Sequence, residues 1–269
     1  MYYKLICVDI DGTLLDDKKK LQPQVKQSLQ NAADMGILIA LVSGRMPSGV
    51  EKIEKELGIE CVKVCNAGTY ILMGEACIGA EYLPDFVLRE VYREVAEKYQ
   101  IPLWIFRDKE WFVTGTDDFI RKEIGYVSYQ PKLVDALGLA DRWDREGKAP
   151  SKLLAAAEPE RIQNIYRELK ELAAGRFDMA CSADTFLEIF PNGVSKGKAL
   201  KTICSRLDIN IEQTIAFGDH ELDLPMIEAA GVGIAMGNAI PLVKEKADYV
   251  TKSNNEAGIA YALEHYLKK

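Results

Sequence analysis

No two cysteines of this chain stand in a CxxC pair; the six fall at positions 7, 61, 65, 77, 181 and 204. Several lie inside apolar runs, as Cys7 does in Leu5-Ile6-Cys7-Val8, which argues against a disulfide framework and for reduced core thiols. No stretch approaches the roughly 20 apolar residues of a membrane span. Met1-Tyr2-Tyr3-Lys4 runs straight into the first apolar run without signal-peptide architecture, so the expected location is cytoplasmic. Positive charge is in deficit, 34 Lys and Arg against 41 Asp and Glu for a formal net charge of −7. That balance argues against nucleic acid or an acidic membrane as a partner. Repeats and low-complexity tracts are absent. Gly231-Val232-Gly233 with Gly237 lacks the GxGxxG spacing and follows a helical segment, which excludes a dinucleotide fingerprint.

What the chain does have is carboxylates in two matched places. Asp9-Ile10-Asp11-Gly12-Thr13 follows Leu5-Ile6-Cys7-Val8, and Gly218-Asp219-His220-Glu221-Leu222-Asp223 follows Thr214-Ile215-Ala216-Phe217. Short continuous apolar runs of this kind read as buried strands of a parallel sheet, so each acidic pair leaves a strand at its carboxyl end. Open α/β sheets bind ligands there. Carboxylates converging at one place repel one another by several kcal/mol unless a cation neutralises them. Oxygen ligands favour a hard ion, Mg2+ first, and the four residues implied are Asp9, Asp11, Asp219 and Asp223.

The order of elements supports this placement. Strand 4–9, helix 23–35, strand 37–42, helix 47–57 and strand 61–65 form a βαβαβ alternation, followed by a small hairpin at 69–72 and 76–78. The character changes near Pro84: helix 85–99, short aromatic strands 103–106 and 110–113, helix 117–125, a polar stretch to Pro150, strand 152–157, helix 158–174, then strands 177–182 and 186–190. After Pro191 the alternation resumes, with helix 196–207, strand 214–217, helix 221–230, strand 232–235, helix 239–246, strand 248–250 and helix 255–267. The expected fold is therefore α/β: a Rossmann-like parallel-sheet core with helices on both faces, discontinuous over 1–84 and 186–269, with an inserted α+β cap over 85–185. Trp104, Phe106, Trp111, Phe112 and Trp143 in the insert read as the aromatic core of its sheet before they read as a substrate pocket.

Two further strand ends carry polar groups. Ser43-Gly44-Arg45 follows the apolar run 37–42 and precedes a helix; its hydroxyl and amides suit an anion, although serine is also a routine N-cap. Lys196, in Gly193-Val194-Ser195-Lys196-Gly197, opens a helix, where its charge opposes the macrodipole unless it meets an anion or carboxylate. Asp9 and Asp11 are compatible with a metal pair or with a nucleophile beside an acid/base. Gly12 lets backbone amides approach a phosphoryl oxygen without a Cβ in the way.

Taken in order, these four strand ends resemble the haloacid dehalogenase superfamily, in particular its Cof-type, sugar-phosphatase-like branch with a large cap. The resemblance spans nearly the whole chain. Asp9-Ile10-Asp11-Gly12-Thr13-Leu14 is similar to its first motif, Ser43-Gly44-Arg45 to the second, Lys196 to the third, and Gly218-Asp219 with Asp223 to the fourth. Ala235-Met236-Gly237-Asn238-Ala239 and Ala247-Asp248-Tyr249-Val250-Thr251 also match the branch's wording. The resemblance implies Mg2+-dependent hydrolysis of small phosphate monoesters, such as sugar phosphates, through an aspartyl-phosphate. Asp9 would be the nucleophile and Asp11 the acid/base. Gly12, Ser43, Gly44 and Lys196 would hold the phosphoryl group, Asp9, the Asp11 carbonyl and Asp219 the metal, and Asp223 would orient Lys196 or join the metal. The chain departs from the pattern at His220, at Leu222 where Asn is usual, and in the order Asn66-Ala67-Gly68. The alternatives are transfer of the phosphoryl group to another sugar, as in a mutase, or non-catalytic sensing of a phosphorylated metabolite. Oligomeric state is not legible in the sequence.

Overall fold

The computed structural model describes residues 2–267. The chain falls into two compact units, one made of Met1–Ser43, Val50–Gly79 and Ser195–Lys269, the other of Gly44–Gly49 and Ala80–Val194. In chain order the strands are β1 (Leu5–Asp9), β2 (Leu38–Val42), β3 (Val62–Cys65), β4 (Tyr70–Met73), β5 (Ala76–Ala80), β6 (Leu103–Arg107) and β7 (Glu110–Val113). They continue as β8 (Lys132–Leu133), β9 (Lys152–Ala156), β10 (Phe177–Ala183), β11 (Phe186–Pro191), β12 (Thr214–Gly218), β13 (Val232–Ala235) and β14 (Tyr249–Val250).

The first sheet runs β14-β13-β12-β1-β2-β3-β4-β5. From β14 to β3 every pair is parallel, and β4 then turns back antiparallel on β3. Successive residues face opposite sides, so the strands feed two cores. Ile6, Val8, Ile39, Leu41, Ile215 and Phe217 pack with Val25 and Leu29 of helix Pro23–Asp34 and with Ile259 and Leu263 of helix Gly258–Leu267. Leu5, Cys7, Ala40, Val42 and Ala216 face the other way, against Ala199, Leu200 and Ile203 of helix Lys196–Leu207. Helices therefore cover both faces, as expected. Strand order reverses direction at β1, with β2 and β3 built outward on one side and β12 and β13 on the other. Such a switch point leaves a crevice at the carboxyl ends of the central strands.

The second unit carries a six-stranded sheet, β10-β11-β9-β6-β7-β8. It is antiparallel except for the β7–β8 edge pair. β11 pairs with β9 and β10, so residues 186–194 lie with this unit, whereas the sequence pattern had assigned them to the core. The polar stretch expected before Pro150 holds the helix Ala136–Glu146. Asp135 caps it by accepting from the Leu137 and Gly138 amides, Gly147 ends it in the left-handed conformation, and Ala136, Leu139, Ala140 and Trp143 form its buried stripe. The aromatic residues are core: Phe112 and Trp143 lie in one cluster, Trp104, Phe106 and Trp111 in another.

Candidate active site

β1, β12 and the helix Lys196–Leu207 bring together residues nearly two hundred positions apart. Asp9 ends β1 directly opposite Val42 of β2, and Gly218 ends β12 beside β1. Lys196 is the first residue of its helix, whose start is fixed by Ser195 accepting from the Lys198 amide. Its Nζ donates to Asp9 Oδ1 at 2.6 Å and to Asp223 Oδ1 at 2.5 Å. All three groups are buried, with Asp9 5%, Lys196 7% and Asp223 1% exposed.

Asp223 does two jobs with its two oxygens. Oδ1 takes the lysine, while Oδ2 accepts from the Asp219 and His220 amides at 2.9 Å each. It thereby caps the 3-10 turn Glu221–Asp223 that leads into helix Leu224–Ala229. The Asp219 side chain is used differently. Its Oδ1 accepts from the Thr13 hydroxyl at 2.7 Å. Its carboxylate also crosses the Gly12 backbone so closely that a Cβ on Gly12, which sits at φ +91°, would lie 2.4 Å from Oδ2. Only glycine fits that crossing.

Electrostatics follow from burial. Asp9 is held well above the usual carboxylate range, first by loss of water and then by Asp223, against the pull of Lys196. Burial likewise raises Asp219, partly offset by the Thr13 hydrogen bond. Burial disfavours the Lys196 charge, but Asp223 and Asp9 outweigh it and push its pKa up. One oxygen each from Asp9, Asp219 and Asp223 lie within 4.8 Å of one another. Three carboxylates share one buried cation, so the donor set fits a divalent, oxygen-preferring metal ion.

Asp11, expected among the metal carboxylates, is not in that cluster. Its side chain is half-exposed, and Oδ1 accepts from Lys19 Nζ at 2.8 Å. Ser43 lies one residue beyond Val42, buried at the end of β2, its N–H donating to Val64 O and its carbonyl accepting from the Ala67 amide. The next helix starts only at Pro47, so Ser43 is not its N-cap. Gly44 belongs to the second unit, where its carbonyl accepts from Lys152 Nζ at 2.6 Å. His220 is exposed. Residues that sequence reasoning did not assign a role include Thr13 and Asn238, whose Nδ2 donates to Gly12 O at 2.8 Å. Asn238 Oδ1 in turn accepts from the Asn254 amide, and Asn254 Nδ2 donates to Leu15 O, so the loop after β1 is tied to those after β13 and β14. Thr13 stands inside the first motif, and Asn238 inside a stretch that resembles the family only as wording.

The sequence pattern of the haloacid dehalogenase-like hydrolases matches residues 6–263. The chain belongs to that family. Among its relatives, the HMP-PP phosphatase of Yersinia pseudotuberculosis is 27% identical over 274 residues, covering 98% of this chain and 96% of that protein. A haloacid dehalogenase-like hydrolase from Bacteroides thetaiotaomicron superposes with a TM-score of 0.86 at 28% identity, over 98% of this chain and 99% of that one. The subclass IIB sugar phosphatase BT4131 shares the fold, with a TM-score of 0.82 at 22% identity over 98% of each chain. The protein is thus a phosphatase-type enzyme of the haloacid dehalogenase family, of the Cof type expected from its motifs. Among the described residues, no helix is long and apolar enough to cross a membrane.

Proposed function

We propose that this haloacid dehalogenase-like phosphatase hydrolyses small phosphate monoesters, sugar phosphates or similar metabolites, through a phosphorylated Asp9, with Mg2+ as its cofactor. The observation that carries the proposal is the buried Asp9, gripped through Oδ1 by Lys196 at the switch point of the sheet. Lys196 fixes the carboxylate's rotation and leaves Oδ2 to attack phosphorus. Covalent catalysis then divides one difficult displacement into two easier ones. The bond from phosphorus to the ester oxygen breaks as the Asp9–phosphorus bond forms, and the departing alcohol takes a proton from Asp11. Asp11 is accessible enough to exchange protons with water, and in the second half it removes one from the water whose oxygen bonds to phosphorus as the Asp9–phosphorus bond breaks, releasing inorganic phosphate and the free Asp9 carboxylate. Such acid–base help contributes about 10²–10⁴-fold. Ser43, the Gly12 amide and Lys196 hold the phosphoryl oxygens. The residues that would hold Mg2+ are Asp9 and Asp219, with the Asp11 carbonyl, while Asp223 is committed to Lys196 and to its capped turn. When bound, the ion supplies positive charge against the trigonal phosphoryl oxygens. The family resemblance to a sugar phosphatase fold and to an HMP-PP phosphatase supports a small-molecule substrate.

Phosphate release from p-nitrophenyl phosphate, measured with Mg2+, with EDTA and with Asp9→Asn, tests this reading. Release that needs both the metal and Asp9 is expected. Undiminished steady-state hydrolysis by Asp9→Asn would remove the nucleophile assignment.

A further inference from the structure

One side chain beside this site makes no use of its chemistry. Asn66 follows β3 and is 0% exposed, yet neither its Oδ1 nor its Nδ2 has a hydrogen-bond partner. A buried polar group left unpaired costs about 1–3 kcal/mol. Its backbone is also unusual: Asn66 and Ala67 sit at φ +52° and +63°, consecutive left-handed residues ahead of Gly68 at +102°. Conformations of this kind persist only where the surroundings enforce them, and they gather at functional sites. Here the enforcement comes from Ser43 and Thr69. The Ala67 amide donates to Ser43 O, and the Thr69 amide and hydroxyl both donate to Asn66 O. Backbone bonds thus hold the segment while the carboxamide is left over.

Register fixes its position relative to the chemistry. Asp9 pairs with Val42, and Val42 pairs with Val64, so Asn66 stands two residues past that level, as Asp11 does on its own strand. Two strand spacings separate the lines of β1 and β3, about 10 Å. That is too far for the phosphorus bonded to Asp9 and suits the remainder of a substrate. A carboxamide offers both an acceptor and donors. Phosphoryl oxygens at neutral pH only accept, and would leave the acceptor half unused; a hydroxyl engages both halves.

We infer that Asn66 is a specificity-determining residue that hydrogen-bonds hydroxyl groups on the leaving alcohol, and so selects polyol phosphates over phosphate esters without hydroxyls. The inference rests on the monoester phosphatase reading above. A site with a buried polar pair rejects ligands that leave it unpaired.

The test compares kcat/KM for p-nitrophenyl phosphate with that for glucose 6-phosphate, fructose 1-phosphate and ribose 5-phosphate, in wild type, Asn66→Gly and Asn66→Asp. Gly keeps the positive φ without strain, and Asp keeps the shape while losing the donors, so a folding defect in one variant does not end the test. Expected is a drop of about 10–100-fold on the best polyol phosphate with less than 3-fold change on p-nitrophenyl phosphate, as for loss of one or two hydrogen bonds. Equal loss on both classes, or no loss on either, overturns the inference. A wild type that hydrolyses p-nitrophenyl phosphate but no polyol phosphate also overturns it and leaves the monoester chemistry standing. A wild type inactive on all of them removes the phosphatase reading itself.

Discussion

Replacing Lys196 with methionine isolates the cation at the centre of the site. The lysine reaches Asp9 at 2.6 Å and Asp223 at 2.5 Å, and all three groups are buried. Methionine keeps the length and apolar stem but strands two carboxylates beside each other and beside Asp219. Removing one partner of a buried ion pair costs about 3–5 kcal/mol, since the remaining charge is left uncompensated. Asp9 is already pushed up by burial, so it relieves part of the cost by taking a proton. In EDTA, Lys196→Met is therefore expected to melt roughly 10 °C below wild type at neutral pH. A divalent ion bound among the carboxylates replaces some of the lost charge; at about 100 times its Kd it contributes about 2.7 kcal/mol. Because the variant lacks the lysine that competes for the same carboxylates, it should bind Mg2+ more tightly than wild type, and saturating Mg2+ should then narrow the gap. The partner change Asp223→Asn in the same background should also restore stability, because no unpaired Asp223 charge remains. Differential scanning calorimetry of the four proteins of this cycle, each with and without Mg2+, measures the coupling. A Tm for Lys196→Met within 1 °C of wild type in EDTA, or additive effects of the two substitutions, would refute the account of Lys196 as the shared counter-charge.

Three other perturbations follow from the same geometry. Gly12→Ala places a Cβ 2.4 Å from Asp219 Oδ2 at φ +91°, so it should cost about 2–4 kcal/mol and displace Asp219; a p-nitrophenyl phosphate rate above a tenth of wild type would contradict this. Thr13→Val removes the hydroxyl that orients Asp219, and the Mg2+ concentration for half activity should rise about 10-fold or more, readable by metal titration. In the metal-free protein Asp9 and Asp219 have raised folded-state pKa values, so they bind protons more tightly folded than unfolded. Their contribution is full below the ordinary value of 3.8 and is lost as pH rises through the raised values. Tm in EDTA should thus decline with rising pH more steeply for wild type than for Asp219→Asn, and identical slopes would count against it.

Much of this was legible in the sequence because buried parallel strands announce themselves. Leu5–Val8, Leu38–Val42 and Ile215–Phe217 are continuous apolar runs, and Asp9, Ser43 and Gly218-Asp219 of the candidate site follow directly on them. Periodicity was less help where charge diluted it. The helix Ala136–Glu146 keeps only Ala136, Leu139, Ala140 and Trp143 on its buried face, amid Asp141, Arg142, Asp144, Arg145 and Glu146. Within the fourth motif, the family resemblance suggested roles that the letters alone do not. Two carboxylates four residues apart look alike as letters; the structure separates Asp219, whose carboxylate crosses Gly12, from Asp223, which holds Lys196 and caps its turn. Asp11 illustrates the converse, since its partner Lys19 stands in a run of three lysines that carries no motif of its own. Asn66 was visible only as an altered word order; its unpaired carboxamide is a three-dimensional property.

The pairing of β1 with β12 also bears on how the molecule is made. Leu5 through Val8 find their partners at Thr214 through Phe217, while the second unit occupies Ala80–Val194 between them. A ribosome adding about 5–20 residues each second needs roughly 10–40 s to cover that distance. During that interval β1 has β2 on one side and an unpaired edge on the other, and Asp9 has neither lysine nor metal-site partners. The second unit has its entire sheet in hand before β12 emerges. The candidate site is therefore incomplete in a nascent chain until Asp223 has left the exit tunnel, and its first strand must be kept from foreign edges until then.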